Sequence, residues 1–409
     1  MKFFVAKHYL IALFILFLIF ALPLVFFWNT LKSKPYLSPL VYLVESKDTE
    51  EYELKNLKVK SYGFLPFWSA NSYVPNYEAL TDIAYFSLYL DSDGTIKRLD
   101  DSGNLEPGYN NLKNNKRIKK ILNDARRAGV RPSLTVSLHK NDDIEAFLNC
   151  STCWNTSYRE ISKMVEDYKF LGINFDFEYM GDAPLNLSQK YTNYIEYMST
   201  KFKEDIDYNF QIVVSVFADS AKKPRLTDIS SLSKSSLDYI FIMAYDFFVP
   251  TSPTSGPIAP IGGAPDRYKY DLSLMFEDFK AKAPSTKLIL GIAFYGHNWV
   301  VQNHSPLATR IPGNNYLGYS ISQNYKDIKK KIDEEGLKVG WDAIAQAPFI
   351  NYYKGSVARK IYFENEKSIS KKIELAKQYS YAGIGIWALG YDGKYENLIN
   401  LYKNFLESN

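Results

Sequence analysis

From Lys58 onward the chain alternates two hydrophobic patterns. Short runs rich in β-branched and aromatic residues are followed by stretches whose apolar positions recur every three or four residues, which predicts strands alternating with helices. The predicted strands cover 59–69, 83–90, 132–138, 172–179, 210–218, 237–246, 287–296 and 382–389, with amphipathic helices over 158–170, 188–205 and 369–379 among the connections. Such alternation implies a parallel sheet, and eight repeats over about 350 residues predict a (β/α)8 TIM barrel of the α/β class. The rival, a doubly wound open sheet, more often carries a Gly-rich phosphate loop after its first strand, and Tyr62-Gly63-Phe64 is no such loop. Residues 297–368 interrupt the rhythm with a helical stretch at 322–335 and a hairpin, 349–353 with 357–363, around Lys354-Gly355-Ser356. They predict a small α+β insertion on the catalytic side, between the seventh strand and its helix.

The N-terminal pattern is different. Residues 9–28 read YLIALFILFLIFALPLVFFW, without one charge, a length that matches the roughly 30 Å hydrocarbon core of a bilayer. Lys2 and Lys7 precede this run and Lys32 and Lys34 follow it, so flanking charge is nearly balanced. Phe26, Phe27 and Trp28 make a poor cleavage site. An uncleaved signal-anchor over 1–32 is expected, a transmembrane helix with the large C-terminal part on the extracytoplasmic side. Residues 33–56, with Pro35, Pro39 and a charged stretch at 45–53, read as a spacer, leaving 57–409 for the barrel.

Charge excludes little but points away from polyanions. Lys plus Arg is 49 against 45 Asp plus Glu, a net charge of +4. The densest basic cluster (Lys116, Arg117, Lys119, Lys120, Arg126 and Arg127) is interleaved with Ile118, Ile121, Leu122 and Ala125 at helical spacing, the pattern of a solvated amphipathic face. No nucleic-acid partner is expected. Cys150 and Cys153 form C-S-T-C in a loop-like segment. A local disulfide suits an exported domain, with two bystander thiols as the alternative. The four histidines, His8, His139, His297 and His304, show no ligand spacing, so neither a metal nor another cofactor is expected.

The fourth predicted strand carries the chemistry. In Gly172-Ile-Asn174-Phe-Asp176-Phe-Glu178-Tyr179, alternation sets Asn174, Asp176 and Glu178 on one face and the apolar residues on the other. In a barrel the apolar face packs under the helices, so the polar trio points inward and Glu178 reaches the C-terminal mouth. Unpaired carboxylates there cost several kcal/mol each, so a site or a buried polar network must compensate. Other strand ends add Tyr62, Phe67 and Trp68, then Met243-Ala-Tyr245-Asp246, Tyr295-Gly296 and Trp387. Converging acids, tyrosines and a tryptophan describe a carbohydrate cleft, in which rings stack on the apolar sugar face.

These residues resemble glycoside hydrolase family 18. Its fourth-strand signature D-G-x-D-x-D-x-E aligns without gaps with Leu171-Gly172-Ile173-Asn174-Phe175-Asp176-Phe177-Glu178. The resemblance implies that Glu178 is the proton donor and that Asp176 orients the substrate acetamido group. Tyr245 of the M-x-Y-D motif would bond the acetamido carbonyl, and Trp387 would floor the −1 subsite. GFLPFW (63–68), SGPIAP (255–260), WDAIAQAPF with YFENEKSI, and GIGIWALGYD (383–392) resemble spore-germination and cortex-lytic members in particular. Implied with them are an N-acetylated polysaccharide or oligosaccharide substrate, substrate-assisted hydrolysis, and cleavage at N-acetylglucosamine in chitin-type glycans or peptidoglycan. Leu171 and Asn174 depart from the signature, and the family's S-x-G-G appears as Ser137-Leu-His139-Lys140. Those departures support the alternative of a catalytically weak or silent glycan-binding barrel. The amide of Asn174 is expected to donate a hydrogen bond to Asp176, whose charge is expected to raise the pKa of Glu178.

Overall fold

The computed structural model describes residues 53–408. The 9–28 apolar run and most of the 33–56 spacer lie outside them. No helix among the described residues is long and apolar enough to cross a membrane. Lys55 already belongs to the barrel's surroundings: its amide donates to Gly129 O at 2.8 Å, and its ammonium to Leu80 O at 3.0 Å. The folded part therefore begins slightly upstream of residue 57.

Strands β1 (Lys60–Pro66), β2 (Asp82–Tyr89), β3 (Arg131–Leu138), β4 (Gly172–Phe177), β5 (Gln211–Phe217), β6 (Tyr239–Met243) and β7 (Leu288–Ala293) run parallel in sequence order. A second, antiparallel sheet follows, made of β8 (Tyr295–Val300), β9 (Ile321–Asn324), β10 (Val339–Asp342), β11 (Ala347–Lys354) and β12 (Val357–Phe363), in the order β10-β11-β12-β8-β9. The chain then returns through the helix Glu366–Gln378 to β13 (Gly383–Trp387), which pairs with β7 and β1 and closes the barrel. The eight predicted barrel strands are present, so the fold is the expected barrel.

One boundary differs. The predicted seventh strand ran to Gly296, which put Tyr295 at a barrel strand end. The Phe294 amide instead donates to Trp387 O at 2.7 Å, and from Tyr295 the chain pairs antiparallel with β12 and β9. Gly296 permits that turn-off, because a Cβ there would lie 2.4 Å from Phe363 Cβ. Tyr295 thus belongs to the inserted sheet, which starts at residue 295 rather than 297. The inserted helix is Tyr325–Glu335, the residues before it form β9, and β10, whose four residues run from exposed Val339 to buried Asp342, has no counterpart among the predicted strands.

Strand alternation divides the barrel cleanly. Outward positions such as Ile173, Phe175, Ile240, Ile242, Leu290 and Ile384 join the large core under the helices. Inward positions split by side. On β1, β2, β6 and β7 they are Tyr62, Phe64, Phe86, Phe241 and Ile289, a separate apolar cluster inside the barrel. On β3, β4 and β5 they are buried and, apart from Val213, which joins the apolar cluster, polar: Ser133, Thr135, Ser137, Asn174, Asp176, Gln211 and Ser215. The cysteine pair is bonded, but Cys153 lies within the helix Ser151–Tyr168 and Cys150 caps it, so the segment is a helix start and not a loop. Lys116–Arg127 is the expected amphipathic helix, although Arg126 is buried and donates to Lys169 O at 2.7 Å.

Phe241 is the ring about which the barrel closes. It lies 4.8 Å from the Phe64 ring and 5.9 Å from that of Tyr62. A Cβ on Gly385 of β13 would stand 2.1 Å from it, and one on Gly291 of β7 would stand 2.5 Å away. Gly385→Ala is therefore expected to cost about 1–3 kcal/mol by overpacking, read as a lower denaturant midpoint. Phe241→Leu in the same chain should recover part of that loss. Strict additivity of the two changes would show that the ring does not set the limit.

Candidate active site

Because β3 and β4 pair with Ser137 opposite Asp176, and the Glu178 amide donates to Leu138 O at 3.0 Å, the residues just past β3 stand beside those just past β4. Asp176 is almost wholly buried, while the Glu178 side chain is about a third exposed at the mouth. His139 comes between them. Its Nε2 lies 3.2 Å from Asp176 Oδ2 and 3.7 Å from Glu178 Oε1. Ser137 Oγ donates to the same Asp176 oxygen at 3.4 Å. Asn174 does not do what the sequence suggested. Its Oδ1 accepts from Ser215 Oγ at 3.0 Å, and its Nδ2 has no partner among the described residues. The neighbour of Asp176 is an imidazole from β3, not an amide from its own strand.

The Glu178 carboxyl is pushed up to about 7. Burial is the main cause, since it penalises the charged form, and the adjacent Asp176 adds to it. The expected influence of Asp176 is thus present but second to desolvation. His139 opposes the rise, and Asp246 contributes to it. The His139 imidazole is itself raised. Burial pulls it down, but the hydrogen bond and charge of Asp176, with the charge of Glu178, outweigh that pull.

Above these groups opens a cleft of about 560 Å³. Asp176, Glu178, Tyr245, Asp246, Met243 and Trp387, all candidates from the sequence, line it. Trp387 ends β13 and packs edge-on against Phe86, with ring centroids 4.6 Å apart. The Tyr245 hydroxyl is raised well above its ordinary value by burial and then by the three carboxylates around it, so it remains a donor. Asp246 adopts φ +60°, a left-handed conformation that aspartate tolerates. One of its oxygens accepts from Tyr295 Oη at 2.6 Å and lies 2.9 Å from His297 Nε2, and Ser322 Oγ meets the other ring nitrogen at 3.0 Å. Tyr295 therefore reaches the site through Asp246.

Two candidates lie elsewhere. Tyr62 is fully buried near the base of the barrel, beside Phe241 and Asp82, because it sits near the start of β1 and not at its end. Trp68 is half exposed at the rim; its Nε1 donates to Tyr391 Oη at 3.1 Å and its ring meets Phe86 edge-on. The cleft also holds residues that the sequence reading passed over. Arg225 pairs with Asp219 through two bonds of 2.7 and 2.8 Å on one wall, and behind the lining His139 and His297 each meet one of its acids. The missed signal at His139 was its position two residues after the inward-facing Ser137.

His139, Asp176 and Glu178 are also the one group among the described residues whose donor atoms, all within 4.8 Å of one another, could hold a cation. The Glu178 carboxyl is pushed up to about 7 and His139 is held toward its protonated form, so metal binding would compete with protons at both. Dialysis against EDTA is expected to leave turnover unchanged. Loss restored by one divalent metal would assign the cluster to that metal.

The comparisons with known proteins agree with this geometry. The model for glycosyl hydrolases family 18 matches residues 42–392. The chain belongs to that family. Among family relatives, a probable di-N-acetylchitobiase 1 of Dictyostelium discoideum is 27% identical over 233 residues, covering 53% of this chain and 61% of that protein. A cortical fragment-lytic enzyme of Bacillus anthracis is 24% identical over 319 residues, 76% of this chain and 65% of that protein. The chain thus spans less than two thirds of the length of either relative. Two solved structures share the fold. A family 18 chitinase from Cycas revoluta in complex with (GlcNAc)3 has a TM-score of 0.70 at 18% identity, covering 85% of this chain and 99% of that one. The spore cortex-lytic enzyme of Bacillus cereus has a TM-score of 0.65 at 21% identity, covering 84% and 74%.

A carboxyl whose folded pKa is raised stabilises the fold fully below its ordinary value of 4.5, and that contribution is lost as pH rises toward about 7. Glu178→Gln, which cannot ionise, should therefore gain thermal stability relative to the native chain at pH 8 compared with pH 4.5. A difference in Tm that is the same at both pH values would contradict the raised carboxyl.

Proposed function

We propose that this chain is a glycosidase that hydrolyses bonds at N-acetylglucosamine in chitin-type or peptidoglycan glycans by a retaining, substrate-assisted route. The observation that carries the reading is Glu178, a carboxyl pushed up to about 7 by burial and by Asp176, at the mouth of a barrel cleft that Asp176 also lines. Family membership and the relatives named above support the substrate class.

A retaining enzyme with two protein carboxylates needs one on each side of the scissile bond. Asp176 on β4 and Glu178 just past its end project the same way, and Asp176 lies deeper, so both face one side of a bound sugar. The substrate must then supply the nucleophile, and a 2-acetamido oxygen does so. That oxygen attacks the anomeric carbon while the Glu178 carboxyl gives its proton to the leaving glycosidic oxygen. Asp176 accepts the acetamido N–H and offsets the positive charge of the oxazolinium-type intermediate, and the Tyr245 hydroxyl donates to the acetamido oxygen. Glu178, now a carboxylate, takes a proton from the water that opens the ring, which restores the starting state and the anomeric configuration. Trp387 supplies the ring on which the sugar at the cleavage site stacks.

Residues 9–28 form, in this reading, a signal-anchor that holds the barrel on the extracytoplasmic side of a membrane. The bonded Cys150–Cys153 pair suits that oxidising side. Resistance of the full chain to carbonate extraction, with the barrel accessible to protease added from outside, is the expected result. Release by carbonate would remove the anchor.

Full-length protein incubated with N-acetylglucosamine oligomers and with purified peptidoglycan should release products whose new reducing ends first appear as the β-anomer. Glu178→Gln should lower turnover about 10²–10⁴-fold while oligomer binding is largely retained. Because Glu178 must be protonated at the first step, native kcat/KM should fall as pH rises through about 7. Binding without product from either glycan would favour the silent glycan-binding barrel.

A further inference from the structure

His139 stands where the family motif has glycine, and it touches both carboxyls of the site. We infer that His139 is a positioning residue that fixes Asp176 as an acceptor beneath Glu178 and keeps its second oxygen free for the substrate amide. The inference rests on the function proposed above.

The contacts of Asp176 are lopsided. Its Oδ2 receives both His139 Nε2, at 3.2 Å, and Ser137 Oγ, at 3.4 Å. Its Oδ1 is buried and has no partner among the described residues. Asn174, the side chain next to it on β4, is committed to Ser215. The orientation of the Asp176 carboxylate is therefore set from β3, and the oxygen left over is the one that can accept an acetamido N–H.

The imidazole is itself held in place. Tyr89 of β2 meets it edge-on, with ring centroids 5.4 Å apart, and Ser137 is in register with Tyr89 on one side and Asp176 on the other. The ionisable groups near it are Asp176 and Glu178 on the β4 side and Tyr89 on the β2 side; past β6, Asp246 raises Glu178, and the three carboxylates raise Tyr245. Lys140 turns outward toward Asp101, at 3.8 Å, where both side chains are largely exposed. A protonated His139 with one carboxylate and one neutral carboxyl leaves the three groups with no net charge, and that is the distribution the acid step requires. Without the imidazole, Asp176 and Glu178 face each other with nothing to balance them, and a proton shared between the two would weaken Asp176 as an acceptor.

The test uses two variants and one spectroscopic readout. His139→Ala should lower kcat about tenfold or more, the worth of a charge-assisted hydrogen bond, with a smaller change in KM. Its alkaline limb of kcat/KM should move to higher pH, because the cation that opposes the rise in Glu178 is gone. His139→Gln, which keeps a donor but no charge, should lose less kcat than His139→Ala and still show the displaced limb. In the native chain the imidazole, followed by NMR, should titrate above its ordinary range, and in Asp176→Asn it should titrate lower. Superimposable pH profiles for the native chain and His139→Ala, or an imidazole titration unmoved by Asp176→Asn, would overturn the inference. If the native chain cleaves no N-acetylglucosamine glycan, the proposed function fails, while the titration still decides whether His139 is coupled to Asp176.

Discussion

A closed barrel of eight strands must fill its own interior, and this chain fills it in two unlike halves. Phe64, Phe86 and Phe241 occupy one side, with Gly291 and Gly385 making the room that Phe241 needs. Serines, a threonine and the polar residues of β4 and β5 occupy the other. Trp387, which lines the cleft, packs edge-on against Phe64 and Phe86 of the aromatic half. The polar half forms a column of hydrogen-bonding groups that rises to Asp176 and ends at Glu178. A uniformly apolar interior would leave those carboxyls without partners, and a uniformly polar one would leave the Trp387 ring unsupported.

How much of this was legible follows from the same division. Strands with one clear period declared themselves, and β4 declared the site as well, because alternating Asn174, Asp176 and Glu178 with Phe and Ile admits only one arrangement in a barrel. The inward serines of β3 carried the same alternation in a weaker form, since serine suits either face. That is why His139, continuing their side of the strand, was not seen as part of the site. Tyr62 was misassigned for a related reason: periodicity gives the face of a residue but not its height along the strand. The end of β7 was hidden because Tyr295-Gly296 continues an apolar run without a break, and only pairing with β12 shows that the chain has left the barrel.

The inserted sheet reaches the site through Asp246. Tyr295, His297 and Ser322 come from its adjacent strands β8 and β9, and together they fix Asp246 in its left-handed turn. Tyr245 immediately precedes that turn. The placement of a hydroxyl donor in the site thus depends on an insertion that departs from the βα rhythm, which couples a module of the fold to the chemistry through one carboxylate.

Four acids border the cleft, and their partners differ in kind. Asp219 has two bonds from Arg225, Asp246 has Tyr295 and His297, and Asp176 has His139 and Ser137. Among the described residues Glu178 meets only the flank of His139, at 3.7 Å. With like charges on neighbouring side chains, the carboxyl that is buried and least compensated retains its proton. Burial of Glu178 is the larger cause, and the charges of Asp176 and Asp246 add to it while His139 opposes it. Removing His139 would take away the neighbour that opposes the rise in Glu178 and would leave that carboxyl higher still.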